Sequence, residues 1–212
     1  IYLNLDHASD LEAIKRALEA GFDMVHFDGS DLPFEENIAR TKEVVELARN
    51  YNALVEGEID QAGGHSTAKE IAGEPVLTDP EKAAEFVSKT GVDILACFFG
   101  NLHGVYSKEL KLDFSHFQKI QKSIQSACST RRREVFFSLH GGSGVRGEDL
   151  SQAAKNSIVK MNFNTELRQA WVGSLRESLT SDPEQIVPYK VLPPVVEAVQ
   201  GVVEEKIRLL NV

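Results

Sequence analysis

Six histidines are spread along the 212 residues, and three stand in short contexts suited to metal ligation: LDHA (His7), GNLHGVY (His103) and LHGGSG (His140). Their wide separation excludes a local zinc finger, whose ligands lie a few residues apart. It fits a centre assembled by fold closure, in which three imidazoles hold zinc and leave a fourth position for water or substrate. The spacing leaves a second reading open, that these are hydrogen-bonded structural histidines. His26 lies two residues before Asp28 and so shares a strand face with it, which favours a buried, hydrogen-bonded ring over a ligand. HGGSG, directly after an apolar run, offers backbone N–H groups unshielded by side chains together with the Ser143 hydroxyl. Such a nest holds phosphate oxygens, or is a plain turn. MNFNTELR offers Asn162, Asn164 and Thr165, which either meet a phosphate or cap a helix.

The elements that must position these groups follow from periodicity. Short β-branched or aromatic runs alternate with longer stretches of helical period, the pattern of βα units around a parallel sheet. The strand candidates are 2–7, 24–29, 53–59, 94–100, 134–140 and 158–164. Between them, SDLEAIKRALEAG carries Ser9 or Asp10 as an N-cap and Gly21 as a stop. TDPEKAAEFVSKTG carries Thr78 or Asp79 as cap, Pro80 in the first turn and Gly91 past the end. TELRQAWVGSLRESL and a C-terminal PPVVEAVQGVVEEKIRLL also read as helices. Asp6-His7, Asp28, Glu58, His103, His140 and the 162–165 stretch all fall at or just after strand C-termini, where βα proteins build active sites. Glu56 shares a face with Glu58, so the choice between them stays open.

Bulk properties narrow the function. A net charge of −9, with Arg131, Arg132 and Arg133 as the only basic cluster, argues against nucleic acid, and that triplet reads as a solvated loop. Cys97 and Cys128 form no disulfide framework and read as packing residues in a reducing cytoplasm. No apolar run reaches the roughly 20 residues of a membrane span. His116 falls in a helix-like stretch and is expected on the surface.

LDHASD, DGSDLPFEENIARTKEVVELAR, VEGEI, TDPEKAAEFVSKTGVDILA, GNLHGVY, KLDF, LHGGSG and MNFNTELR, in this order and over nearly the whole chain, resemble the motifs of class II fructose- or tagatose-bisphosphate aldolases. The resemblance implies an α/β fold of the TIM (β/α)8-barrel type. About six of eight βα units are expected in a single domain over 1–212, the first two preceding Ile1 and residues 183–212 forming its C-terminal extension. It implies a zinc ion on His7, His103 and His140, with Asp28 and Glu58 orienting ligands or holding an alternative metal position. Asp6 is implied as the acid/base. Gly104, Gly141, Gly142, Ser143, Asn162 and Thr165 match positions that bind phosphate and a monovalent cation, Na+ or K+.

The implied activity is that of a glycolytic aldehyde-lyase, cleaving a ketose 1,6-bisphosphate to dihydroxyacetone phosphate and glyceraldehyde 3-phosphate through a zinc-stabilised enediolate. The implied setting is a cytoplasmic homo-oligomer, dimer or tetramer, with no nucleic-acid or membrane partner. A non-catalytic family-derived subunit that keeps metal binding is the alternative. Three features depart from the pattern. The barrel is short. His65-Ser66-Thr67 follows Gly63-Gly64 where acids are expected, with Glu70 or Glu74 as substitutes, and Asn164 stands where some members carry an acid. A tension within the motif also remains: Asp6 and His7 are adjacent, and share a site only if the strand ends or twists there.

Overall fold

A computed structural model describes residues 1–60, 77–102, 110–129 and 134–210. Expectations for Arg131 to Arg133, His65 to Thr67, Glu70 and Glu74 lie outside the described residues. Strands β1 (Asn4–Ala8), β2 (Met24–Asp28), β3 (Leu54–Glu58), β4 (Ile94–Ala96), β5 (Phe136–Leu139) and β6 (Ile158–Met161) pair in sequential order, every neighbour parallel. Six parallel strands with alternating helices make a partial TIM barrel.

Helices start and stop where the sequence supplies the chemistry. Asp10 caps α1 (Leu11–Glu19) by accepting from the Glu12 and Ala13 N–H groups. Asp79, not Thr78, caps α3 (Pro80–Thr90), and Gly91 ends it in the left-handed region at φ 76°. Thr78 is used elsewhere. Its N–H donates to the Phe98 carbonyl and its hydroxyl accepts from the Phe98 N–H, both at 2.8 Å. These bonds draw residues after Ala96 away from the sheet, so β4 stops short of the expected Gly100.

α2 (Phe34–Arg49), α4 (Phe114–Ala127) and α5 (Gly147–Ala154) complete the outer layer, and α6 (Thr165–Ser181), α7 (Pro188–Val191) and α8 (Pro193–Leu210) follow β6. Asp23 and Asp93 serve corresponding positions before β2 and β4. Each accepts a backbone N–H on its carboxylate, Asp23 from Leu3 just before β1 at 2.7 Å and Asp93 from Val55 of β3 at 3.0 Å. His116 is half-buried rather than exposed, because its Nε2 lies 2.8 Å from the Thr78 carbonyl and ties α4 to the segment before α3. Cys97 is buried and Cys128 half-buried, both inside the packing. Among the described residues no helix is long and apolar enough to cross a membrane.

The core lies between sheet and helices. Phe99 stacks on Phe117 with ring centroids 4.6 Å apart, and Phe117 meets Phe137 edge-on at 5.0 Å. On β3, Glu56 and Glu58 point to the sheet's inner face while Gly57 faces the helices, where a Cβ would come within 2.9 Å of the Phe86 ring. Gly57→Ala should therefore cost about 1–3 kcal/mol by overpacking. Urea unfolding checks this, with a fall in midpoint at unchanged slope expected.

Candidate metal centre

A regular strand would send Asp6 and His7 to opposite faces. The β1–β2 register instead shifts between Leu5 and Ala8, and His7 takes φ 50°. This bulge turns both side chains into one cluster and resolves the tension in the sequence pattern. The displaced His7 N–H finds a partner in Nδ1 of His26, at 3.2 Å.

Three imidazoles converge there, from near the end of β1, the middle of β2 and the residue after β5. The His7–His26, His7–His140 and His26–His140 ring centroids are 4.7, 4.8 and 5.0 Å apart. Carboxylates hold two of the rings by their outer nitrogens. Asp28 Oδ2 lies 2.7 Å from His7 Nδ1, and Glu56 Oε1 lies 2.6 Å from His140 Nε2. Each contact places a proton on the outer nitrogen, which leaves His7 Nε2 and His140 Nδ1 turned towards each other at 3.1 Å. Asp28 is itself fixed by the Ser30 N–H and hydroxyl, at 3.2 and 2.7 Å.

His26 differs from these two. It is fully buried, its Nδ1 accepts the His7 N–H, and its Nε2 lies 3.2 Å from Glu58 Oε2, out of hydrogen-bond alignment. Burial pushes this ring towards neutrality, but Glu56, Asp6 and Glu58 outweigh it and lift its pKa to about 10. The His7 N–H, 3.2 Å from Nδ1, needs an acceptor there and so opposes double protonation of the ring. The upward pull on its pKa shows that the cluster is short of positive charge.

Asp6 sits in the opposite balance. Burial raises its carboxyl pKa, yet the His26 ring and the Lys160 ammonium prevail and hold it well below the usual carboxylate range. Lys160 Nζ stands 3.0 Å from Asp6 Oδ1 and 2.9 Å from Glu56 Oε2. The Asn162 amide donates to both Asp6 oxygens, at 3.3 and 3.2 Å, and lies 3.3 Å from His140 Nδ1. The cluster thus gathers four carboxylates, Asp6, Asp28, Glu56 and Glu58, around three rings, with Lys160 as their ammonium partner among the described residues.

The glycine-rich turn lies beside this cluster. The Gly142 N–H donates to the Asn162 carbonyl at 3.0 Å, linking the turn after β5 to the end of β6. Ser143 is buried next to the N-terminus of α6, where its hydroxyl accepts the Glu166 N–H at 3.5 Å, and the Gly144 N–H donates to Glu166 Oε1 at 3.3 Å. Gly141 starts the turn, and Thr165 opens α6. The Asn162 side chain faces Asp6 and His140, while only its carbonyl serves the turn. His103 and Gly104 lie outside the described residues.

The same residues draw attention as a donor set. Asp6, His7, His26 and His140 offer ligand atoms within 4.8 Å of one another, and so do His7, Asp28 and Glu58. The family model "Fructose-bisphosphate aldolase class-II" matches residues 1–212. The chain belongs to the class II fructose-bisphosphate aldolase family. A fructose-bisphosphate aldolase of Staphylococcus aureus is 38% identical over 208 residues, 98% of this chain and 69% of that protein. A 6-phospho-5-dehydro-2-deoxy-D-gluconate aldolase of Shouchella clausii is likewise 38% identical, covering 98% of this chain and 67% of its own. The crystal structure of the YdjI aldolase from Escherichia coli superposes with a TM-score of 0.75 at 33% identity, over 98% of this chain and 68% of that one. The family is metal-dependent, and the clustered His and carboxylate donors suit it.

Reading the sequence alone missed the parts of Lys160 and Ser138 in this aldolase-family cluster and left the choice between Glu56 and Glu58 open, whereas His26 is the buried, hydrogen-bonded ring expected of it. Ser138 donates to Glu56 Oε1 at 2.6 Å. A signal existed for Lys160: it is the charged residue inside an otherwise apolar IVKM strand, two positions before Asn162 and so on the same face. Because the fold holds Glu56 below the ordinary carboxylate range, against burial and through His26, His140 and Lys160, its stabilisation is complete above an unfolded value of about 4.3 and is lost as pH falls through the folded value. Glu56→Gln in the metal-free protein should lower stability at neutral pH by about 1.5–3 kcal/mol, the range for hydrogen bonds to a charged group. The deficit against wild type should shrink in urea titrations taken progressively below about pH 4.

Proposed function

We propose that this chain is a metal-dependent lyase that splits a ketose 1,6-bisphosphate, fructose or tagatose, into dihydroxyacetone phosphate and glyceraldehyde 3-phosphate, and runs the reverse condensation. The observation that carries the reading is the opposed pair His7 Nε2 and His140 Nδ1, 3.1 Å apart, each with a carboxylate on its far nitrogen. Two nitrogens on one tetrahedral zinc ion, each at about 2.0–2.1 Å, stand roughly 3.3 Å apart. Carboxylate partners on the outer nitrogens are the usual support of metal-bound histidines. Glu58 Oε2, buried and without a hydrogen bond among the described residues, adds a donor that a cation satisfies. His7 and His140 would hold the ion, with His103 as the third ligand that the family pattern implies. The set contains two neutral imidazoles and hard carboxylates, a donor chemistry that suits Zn2+.

A bound divalent ion supplies Lewis acidity at the ketone and neighbouring hydroxyl oxygens, where the electron pair of the broken C3–C4 bond is accommodated. The protein's own groups do the rest. Asp6, held ionised and pinned by Lys160 and Asn162, takes the proton of the C4 hydroxyl as the C3–C4 bond breaks and the aldehyde forms; the enediolate carbon then takes up a proton to give dihydroxyacetone phosphate, and condensation reverses both transfers. The Gly144 N–H and the Ser143 hydroxyl, with the N-terminus of α6, receive a substrate phosphate, while the Gly142 N–H stays on the Asn162 carbonyl. On that arrival Glu166 Oε1 yields its place on the Gly144 N–H.

Metal analysis and a triose-phosphate assay test this together. The purified chain should carry close to one divalent ion, and His140→Ala should lose it. Cleavage of fructose or tagatose 1,6-bisphosphate should stop on chelation and release no inorganic phosphate. A metal-free chain, or cleavage that survives chelation, would refute the proposal. Asp6→Asn should keep its metal and lose about 10²–10⁴ in kcat, the usual range for a lost acid/base.

A further inference from the structure

Lys160 extends from β6 into the cluster with its side chain only 16% exposed and its ammonium between Asp6 Oδ1 at 3.0 Å and Glu56 Oε2 at 2.9 Å. β6 hydrogen-bonds to neither β1 nor β3, so these contacts cross the inner side of the sheet rather than run along a strand pair. They join two groups with different tasks. Asp6 is the acid/base of the proposed reaction, and Glu56 fixes the His140 ring through a 2.6 Å contact. Glu56 is fully buried, with Oε1 engaged by His140 and Ser138, so the Lys160 ion pair is the partner of Oε2 among the described residues.

An ammonium taken out of water is costly unless carboxylates surround it, and a buried carboxylate deprived of its cation loses its fixed position. Movement of Glu56 frees the His140 ring, and the same loss lets Asp6 swing towards solvent on its exposed side. We propose that Lys160 is a positioning residue that locks Asp6 and Glu56 into one ionic unit, so that metal affinity and turnover fall together when its charge is removed. This rests on the metal-dependent aldolase reading above. It gives Lys160 no contact with substrate, and no covalent part in the chemistry.

The test compares wild type, Lys160→Met, Lys160→Gln and Glu56→Gln, each as the whole chain and each checked for folding by circular dichroism. Zn2+ affinity is read by chelator competition, and kcat and KM are read with fructose 1,6-bisphosphate. Lys160→Met should weaken Zn2+ binding by about 10–100-fold, the range for outer partners of metal ligands. With the metal site saturated, kcat should still fall at least about tenfold while KM stays within about twofold, since substrate contacts are untouched. In a Glu56→Gln background, Lys160→Met should change Zn2+ affinity by less than about twofold, because Lys160 acts on the ion through Glu56. Lys160→Gln, which keeps an N–H donor without the charge, carries the same expectations if the methionine variant does not fold.

Wild-type affinity and kcat in a folded Lys160 variant would overturn the proposal. So would a rise in KM at unchanged kcat, which would place Lys160 on the substrate. Borohydride trapping of dihydroxyacetone phosphate on Lys160 would also overturn it, by making the amine a nucleophile. Wild type that neither binds Zn2+ nor cleaves the bisphosphate fails the aldolase reading itself, and the positioning role falls with it.

Discussion

A regular parallel strand sends successive side chains to opposite faces, and Asp6 and His7 meet in one cluster only because β1 breaks that rule. The break is a bulge with His7 at φ 50°, a conformation that costs a non-glycine residue about 1–3 kcal/mol and persists only when its surroundings over-determine it. The surroundings do so here. The displaced His7 N–H is accepted by the buried His26 ring, and the His7 ring is held from its other end by Asp28. His26 thus acts on the site through the backbone. It shapes the bulge that brings the consecutive residues Asp6 and His7, the proposed acid/base and ligand, into one cluster.

Charge is the second constraint, and it follows from the first. Four carboxylates drawn to one end of the sheet repel one another, and each must have a partner or a proton. Asp28 spends its charge on His7 and Ser30, Glu56 on His140, Ser138 and Lys160, and Asp6 on Lys160 and Asn162. Glu58 has the poorest arrangement, facing His26 Nε2 out of line. A set with this much unbalanced negative charge and two opposed imidazole nitrogens is organised for a cation. The upward pull on the His26 pKa shows what the same field does when the cation is a proton.

Much of this was legible in the sequence. All six strands appear where the apolar runs stood, because strands buried on both faces read as continuous hydrophobic segments. Asp10, Asp79 and Gly91 punctuate the helices as their chemistry requires. The strand ends were less legible. Residues after Ala96 are as apolar as the strand itself, and only the Thr78 hydrogen bonds, from a segment 20 residues away, decide that the chain leaves the sheet there. Within the site, motif identity pointed to Asp6, His7 and His140 and to Asp28, which holds the His7 ring, but not to Ser138 or Lys160. Glu56 and Glu58 share a face and a residue type, and nothing local separates them. His26, Ser138 and Lys160 acquire their parts from cross-strand neighbours, which no window of sequence contains.

The cross-sheet contacts tie the chemistry to the architecture. β1 and β6 are the two edges of the described sheet, and no backbone ladder joins them. Side chains of the site do: Lys160 and Asn162 of the β6 segment both reach Asp6 on β1. A carboxylate at the end of β1 is therefore an electrostatic clasp on the curvature of the sheet as well as the proposed proton carrier, and the two roles make opposite demands. A clasp is strongest when the carboxylate is tightly paired. An acid/base works best when its pairing can loosen as the proton moves. Asp6 reconciles them by position. It is the half-exposed member of the ionic unit, whereas Glu56, which has no proton to move in the proposed reaction, is the buried one. The buried half of the unit thus sits against the proposed ligand His140, and the half-exposed half carries the proposed proton transfer.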